Sequence, residues 1–237
     1  QCDRVVTSIF VNPKQFAPGE DLDAYPRTLM EDAEKLTDAK CDLIYLPTPD
    51  IMYPTGFSAT VALKGPALGL ESDIRPHFFD GVATVVAKLF NQVRPDMAFF
   101  GEKDYQQLLV IRQLVKDLDF PIESLAGATG RDKDGLALSS RNAYLNADER
   151  ARAGQLNVIL KDFATSLQGG TDRKTAEATA IKACQNAFDS VDYIEARCAN
   201  TLAVLGDGPI AAPTRVLAAV RLGSTRLIDN MAANPPS

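Results

Sequence analysis

The sequence predicts an α/β protein: a doubly wound parallel sheet followed by a smaller α+β domain. Three observations lead there. Apolar, β-branched runs of strand length alternate with amphipathic stretches of helical period through the first half of the chain, the pattern of parallel strands joined by crossover helices. The alternation stops near Ala126, where residues 127–142 form a segment rich in glycine and charge. Beyond it, two long helical patterns precede three strand-like runs with no crossover helices between them, which fits an α+β unit. A domain boundary is therefore expected at 128/129.

Residues 4–11 (RVVTSIFV) are nearly continuously apolar and read as a strand buried on both faces, ended by Asn12-Pro13. Thr28 and Glu31 have the spacing of a T-x-x-E capping box, opening a helix whose Leu29, Ala33 and Leu36 share a face. Residues 42–46 are the next strand, closed by Pro47, and proline and glycine punctuate residues 47–69. Val82, Val85, Val86, Leu89, Phe90 and Val93 then trace a helical face that Pro95 stops. A buried strand over residues 97–100, a helix carrying Leu108, Ile111, Val115 and Leu118, and a strand over 121–125 complete the alternation. In the second half, Asn146 and Glu149 cap a helix bearing Leu156, Ile159, Leu160 and Phe163, which Gly169-Gly170 ends. A second helix spans about residues 174–188. Strands follow over 191–198, 215–222 and 225–229, and residues 232–237 read as a loose tail.

Composition narrows the function. With 237 residues, 46% hydrophobic and 24% charged, the chain suits one sizeable soluble domain or two modest ones. A net charge of -6 and a pI near 4.9 argue against nucleic acid or an anionic membrane as the main partner. The four cysteines, Cys2, Cys41, Cys184 and Cys198, form no CxxC pair, so neither zinc nor a disulfide framework is suggested and a reducing cytoplasm fits best. No apolar run approaches the roughly 20 residues of a membrane span. The chain opens with Gln1 rather than methionine and with no secretory pattern, and it reads as a processed or truncated product.

The most chemically suggestive stretch is residues 99–107, where an apolar run ends in Gly101 and passes through Glu102, Lys103 and Asp104 into a helix pattern, with Gln107 three residues after Asp104. Gly101 lets the backbone turn. Lys103 then stands where a strand's carboxyl end meets the positive end of a helix, and both attract anions. Asn12 with Gln15, Arg131 with Lys133, and Ser139-Ser140-Arg141-Asn142 supply further donors of the kinds a phosphate site uses. Taken singly, each is better explained by a turn, solvated polar residues or a helix-entry loop, and only jointly do they favour a phosphate site. Asp32 with Glu31 on the first helix can hold magnesium through water, against the alternative of a solvated acidic face. The chain has no GxGxxG, no GxxxxGK[ST] and no GxSxG. Its single histidine, His77, cannot form a His pair and, in an aromatic, proline-rich turn, reads as structural.

Four long motifs then point to one family. Residues 8–16 (SIFVNPKQF), 25–28 (YPRT), 100–108 (FGEKDYQQL) and 134–142 (DGLALSSRN), with 226–230 (RLIDN) near the end, together closely resemble the pantothenate synthetases, or pantoate-β-alanine ligases, in the family's order and over essentially the whole chain. The resemblance implies a Rossmann-like member of the nucleotidyltransferase superfamily, with residues 1–128 as the nucleotide- and pantoate-binding domain and residues 129–237 as a C-terminal lid. It implies a cytoplasmic homodimer that uses ATP and Mg²⁺ to join pantoate and β-alanine through a pantoyl-adenylate, releasing pyrophosphate and AMP. By matching position, Gly101, Glu102, Lys103 and Asp104 resemble the nucleotide-binding turn, with Lys103 on the phosphates and Asp104 near the ribose. Leu138, Ser139, Ser140 and Arg141 resemble the phosphate clamp, and Lys103, Ser139, Ser140 and Arg141 would carry the catalysis. Gly130 falls where the family contacts adenine, Gln15 and Gln107 resemble the pantoate-binding glutamines, and Asn12 is a further expected substrate ligand.

The chain departs from the family's pattern in two places. It begins downstream of the P-T-M-G-x-L-H-x-G-H motif, so a missing central strand and weak activity are expected. Where the family often reads R-P-G-H-F-R-G-V, this chain has Arg75-Pro76-His77-Phe78-Phe79-Asp80-Gly81-Val82, which displaces the histidine by one. A related nucleotidyltransferase with another substrate, or a catalytically dead nucleotide-binding module, are the alternatives.

Overall fold

The structure, a computed structural model, describes residues 2–16 and 28–235. The elements run β1 (Val6–Ser8), α1 (Leu29–Asp38), β2 (Leu43–Tyr45), α2 (Pro49–Met52), α3 (Glu71–Ile74), α4 (Phe78–Val93), β3 (Met97–Gly101), α5 (Tyr105–Asp117), β4 (Glu123–Gly127), α6 (Ala147–Ala153), α7 (Gln155–Gln168), α8 (Arg173–Ala187), β5 (Ser190–Cys198), β6 (Thr214–Leu222) and β7 (Thr225–Ala233). Contacts group them into two compact units, Gln1–Ala62 with Arg75–Arg94, and Leu63–Ile74 with Pro95–Ser237. The boundary expected at 128/129 falls inside the second unit.

In the first unit β1 pairs with β2 in parallel, Val6 opposite Leu43. The ladder starts where the Asp42 carboxylate accepts the Val5 N–H at 2.8 Å and Arg4 Nη1 at 2.7 Å. The core is α4, whose Phe79, Val82, Ala83, Val85, Val86 and Phe90 are buried. The helix starts after His77 and ends at Arg94, both left-handed. Two expectations are corrected here. The first strand is not buried on both faces, because a two-stranded ribbon covers little of either face, and Val5, Val6, Leu43 and Leu46 stay exposed. The Thr28 capping box does not form. Thr28 has φ -103° and ψ 44°, outside extended cap geometry, and its hydroxyl donates to the Asp32 carboxylate at 3.2 Å. Residues 25–27 of the second motif lie outside the described residues.

In the second unit β3 pairs with β4 in parallel from Met97 opposite Glu123 to Gly101 opposite Gly127. α5 buries Tyr105, Leu108 and Leu109 against Leu70, Leu202 and Leu217. Phe99, expected inside, is exposed on β3. β5, β6 and β7 form an antiparallel sheet in that order. Against it pack Leu156, Leu160, Phe163 and Leu167 of α7 and Ala180 and Cys184 of α8. The expected capping box forms, with Asn146 and Glu149 exchanging side chain-to-backbone bonds of 2.9 Å. The helix it opens is, however, two helices meeting at Gly154, where Asp134 approaches so closely that a Cβ would lie 2.7 Å from its carboxylate. β7 runs on through Ala233, which is fully buried, so residues 232 and 233 of the expected tail are strand. The α/β class with a C-terminal α+β part holds.

Candidate active site

The turn after β3 is a single 3-10 turn, Glu102–Asp104, leading straight into α5. Gly101 has φ -67° and ψ 134°, ordinary extended backbone, so the turn does not depend on glycine's freedom as expected. Asp104 occupies the N-cap position of α5 without a side-chain cap bond. Lys103 is half-buried and makes no ion pair among the described residues.

What fixes this turn comes from β7. Asn230 Nδ2 donates to the carbonyls of Glu102 at 2.9 Å and Lys103 at 2.8 Å, while its Oδ1 accepts Arg215 Nε at 2.6 Å. The Arg215 guanidinium lies 4.1 Å from the centroid of Tyr105 and 3.7 Å from the Glu102 carboxylate. Tyr105 donates its hydroxyl to the Ala199 carbonyl at 2.9 Å. Burial lowers the Arg215 pKa from its ordinary value and raises that of Tyr105, so the charge beside Glu102 is held in a partly desolvated setting.

The neighbouring residue on β7 organises the loop that carries the serines. Asp229, almost wholly buried, receives both terminal nitrogens of Arg131 at 2.7 and 2.9 Å, and the Asp229 hydrogen bond is the first cause of a raised Arg131 pKa. Arg131 also donates to the Gly135 carbonyl at 2.9 Å. Arg131 is thus committed to an internal ion pair rather than presented as a phosphate fork. Gly130 accepts the Leu138 N–H at 2.9 Å, and the Leu138 side chain is exposed. Ser139 caps the following 3-10 turn, Ser140–Tyr144, by accepting the Arg141 N–H at 3.3 Å, and Asn142 Nδ2 donates to the Ala137 carbonyl at 3.1 Å. Of the adjacent glutamines, Gln106 is buried and bonds Glu71 N and the carbonyls of Pro66 and Gly69, which leaves Gln107 as the more accessible one.

Asn12 and Gln15 lie in the first unit and touch each other. Asn12 caps the 3-10 turn Pro13–Gln15, its Nδ2 donating to Gln15 Oε1 at 2.9 Å and to the Gly81 carbonyl at 3.2 Å. Its Oδ1 accepts the Lys14 N–H at 3.2 Å and the Tyr53 hydroxyl at 2.7 Å. Those four bonds use the whole capacity of a 3% exposed amide, so Asn12 has none left for a substrate. His77 is exposed, in left-handed conformation, with Nδ1 3.6 Å from the Asp80 carboxylate. Asp32 does not fit as the basis of a protein metal site: its carboxylate accepts from Thr28, and no group of three His, Cys, Asp or Glu able to hold a metal occurs among the described residues.

The Lys103 turn, the serine loop and Gln15 are legible as local motifs, whereas the residues that brace them, Asn230, Arg215, Asp229 and Tyr53, lie far away in the sequence. Asp229 and Asn230 fall within the RLIDN run, residues 226–230. A sequence model of the family described as pantoate-beta-alanine ligase matches residues 1–232. The chain belongs to this family. The pantothenate synthetase of Maricaulis maris is 81% identical over all of this chain and 82% of its own length. That of Caulobacter vibrioides is 54% identical over 97% of this chain and 81% of its own. Among solved structures, pantothenate synthetase from Thermus thermophilus superposes with a TM-score of 0.92 at 44% identity, covering 98% of this chain and 84% of that one. The pantoate-beta-alanine ligase from Francisella tularensis, solved in complex with beta-gamma ATP and β-alanine, gives 0.76 at 32% identity over 97% of this chain and 79% of that one. No helix among the described residues is long and apolar enough to cross a membrane.

Proposed function

We propose that this member of the pantoate-β-alanine ligase family condenses pantoate with β-alanine at the expense of ATP, through a pantoyl-adenylate, releasing pyrophosphate and AMP. The observation that carries the reading is the Lys103 turn, an ammonium without an ion-pair partner among the described residues, fixed between the end of β3 and the start of α5. An anion there meets the lysine charge together with the positive end of the α5 dipole. The complex of the Francisella relative supports ATP and β-alanine as ligands.

In the first half-reaction a carboxylate oxygen of pantoate attacks the α-phosphorus and the bond to pyrophosphate breaks. In the second, the amine of β-alanine attacks the carbonyl carbon of the adenylate, gives up a proton, and AMP leaves. Neither step needs a protein nucleophile, so the protein contributes alignment and charge stabilisation. Lys103 is assigned to the phosphates, with Ser139, Ser140 and Arg141 as further donors to them. Gly101, Glu102 and Asp104 are assigned to the nucleotide along the turn, Gly130 and Leu138 to adenine, and Gln15 and Gln107 to pantoate. Mg²⁺ would accompany ATP on the nucleotide's own phosphates rather than on Asp32. The functional division at 128/129, a homodimeric assembly and a cytoplasmic location belong to the same proposal.

Pantoate-dependent exchange of labelled pyrophosphate into ATP tests it. Lys103→Ala is expected to lower exchange ~10²-fold or more, the scale of one lost charge-stabilising donor, with little change in melting temperature. Normal exchange in that variant would remove Lys103 from the site.

A further inference from the structure

The orientation of the Gln15 amide is dictated by groups that have no choice. The Lys14 N–H can only donate, so the Asn12 atom 3.2 Å from it is oxygen; the Gly81 carbonyl can only accept, so the atom 3.2 Å from it is nitrogen. The same nitrogen lies 2.9 Å from Gln15, which must therefore turn its own oxygen inward. The outward end of Gln15 is then its NH₂ group, which has no acceptor among the described residues. The remaining lone pair of Asn12 Oδ1 is filled by Tyr53, whose hydroxyl donates at 2.7 Å. Tyr53 is itself held by Phe57 edge-on, with ring centroids 5.2 Å apart, and follows the fully buried Met52. Arg75 fixes the backbone of the same residue by donating to the Gln15 carbonyl at 2.8 Å.

We propose that Tyr53 and Asn12 are positioning residues that lock Gln15 with its NH₂ group facing the substrate, so that this position accepts only a hydrogen-bond acceptor, a carboxylate or hydroxyl oxygen of the hydroxy acid. The proposal rests on the reading of Gln15 as a pantoate ligand. An unconstrained amide can present either end; a locked one presents a donor and loses less freedom on binding. Glutamate at position 15 could still accept from Asn12, but it would turn an oxygen outward, so an isosteric change becomes a repulsive one.

Calorimetric titration of the wild type, Tyr53→Phe and Gln15→Glu with pantoate, and separately with ATP, tests the lock. Tyr53→Phe is expected to weaken pantoate about 5-fold, the worth of one neutral hydrogen bond, and Gln15→Glu by about 10-fold or more, both with unchanged ATP affinity. Wild-type pantoate affinity in both variants overturns the lock and leaves the proposed function standing. Failure of the wild type to bind pantoate overturns the functional reading instead, and the lock is then decided by the side-chain amide resonances. The Asn12 NH₂ should exchange slowly with solvent and the Gln15 NH₂ fast, and both should shift in Tyr53→Phe. A Gln15 amide indifferent to Tyr53→Phe overturns the lock whatever the titrations show.

Discussion

The turn Pro13–Gln15 and the turn Glu102–Asp104 both follow a parallel strand and both are single 3-10 turns, yet they are held by different means. In the first, Asn12 closes its own turn by accepting the N–H two residues on, and it bonds Gln15 only three residues away. In the second, Asp104 leaves its cap unmade, and two carbonyls are instead captured by Asn230, 127 residues downstream of Lys103. A self-capped turn survives on local chemistry. A turn pinned by a distant strand is only as well ordered as the sheet that delivers the pin.

The largest expected effect follows from that dependence. Asn230→Ala leaves the Glu102 and Lys103 carbonyls and Arg215 Nε without their partner in a site where Asn230 is 4% exposed. A loss of about 2–4 kcal/mol in urea unfolding is expected, since each buried group left unsatisfied costs about 1–3 kcal/mol and relaxation recovers part of it. ATP affinity should fall with it. Full stability would mean that the Lys103 turn is held locally after all and that the contrast between the two turns is wrong.

The same contrast explains which parts of the site could be read from the chain. Asn12 and Gln15, three residues apart, form a motif, and so do residues 101–107. Asn146 and Glu149 gave a capping box that forms, whereas Thr28 and Glu31, with the same spacing, gave one that does not, because spacing says nothing of the backbone dihedrals at Thr28. Arg131 looked like a free phosphate donor because its partner Asp229 lies 98 residues away. The burial of strands 4–11 and 97–100 was overread for a related reason. Apolar sequence reports what a strand can bury, and exposure depends on what the rest of the fold lays over it.

A smaller effect is expected at Gly81, where the self-capped turn touches another element. A side chain there would collide with the Lys14 carbonyl, in the turn whose Asn12 donates to the Gly81 carbonyl. Gly81→Ala should cost about 1–3 kcal/mol by overpacking and weaken pantoate while leaving ATP affinity alone, as calorimetry on the variant would show. Equal weakening of ATP binding would mean that the damage is not confined to the turn Gly81 touches.

The smallest effect concerns carboxylates at or near the surface, and here the two units behave alike. Asp42 holds the start of β1 through the Val5 N–H, and Asp172 caps α8 by accepting the Thr175 N–H at 3.0 Å and the Gly208 N–H at 2.9 Å. These backbone hydrogen bonds are the leading cause that lowers each pKa below the ordinary 3.8. Because each folded-state pKa lies below its unfolded value, the stabilisation is fully present above about pH 4 and is lost as pH falls through the depressed values. Melting curves from about pH 6 to pH 3 should therefore show the wild type above Asp42→Asn and Asp172→Asn near neutrality, with each gap closing only in the acid range and narrowing in high salt. A gap that stays constant over the whole series would mean that the bonds to Val5 and Thr175 do not depend on the carboxylate charge, so the amide holds the backbone less well for reasons of shape alone.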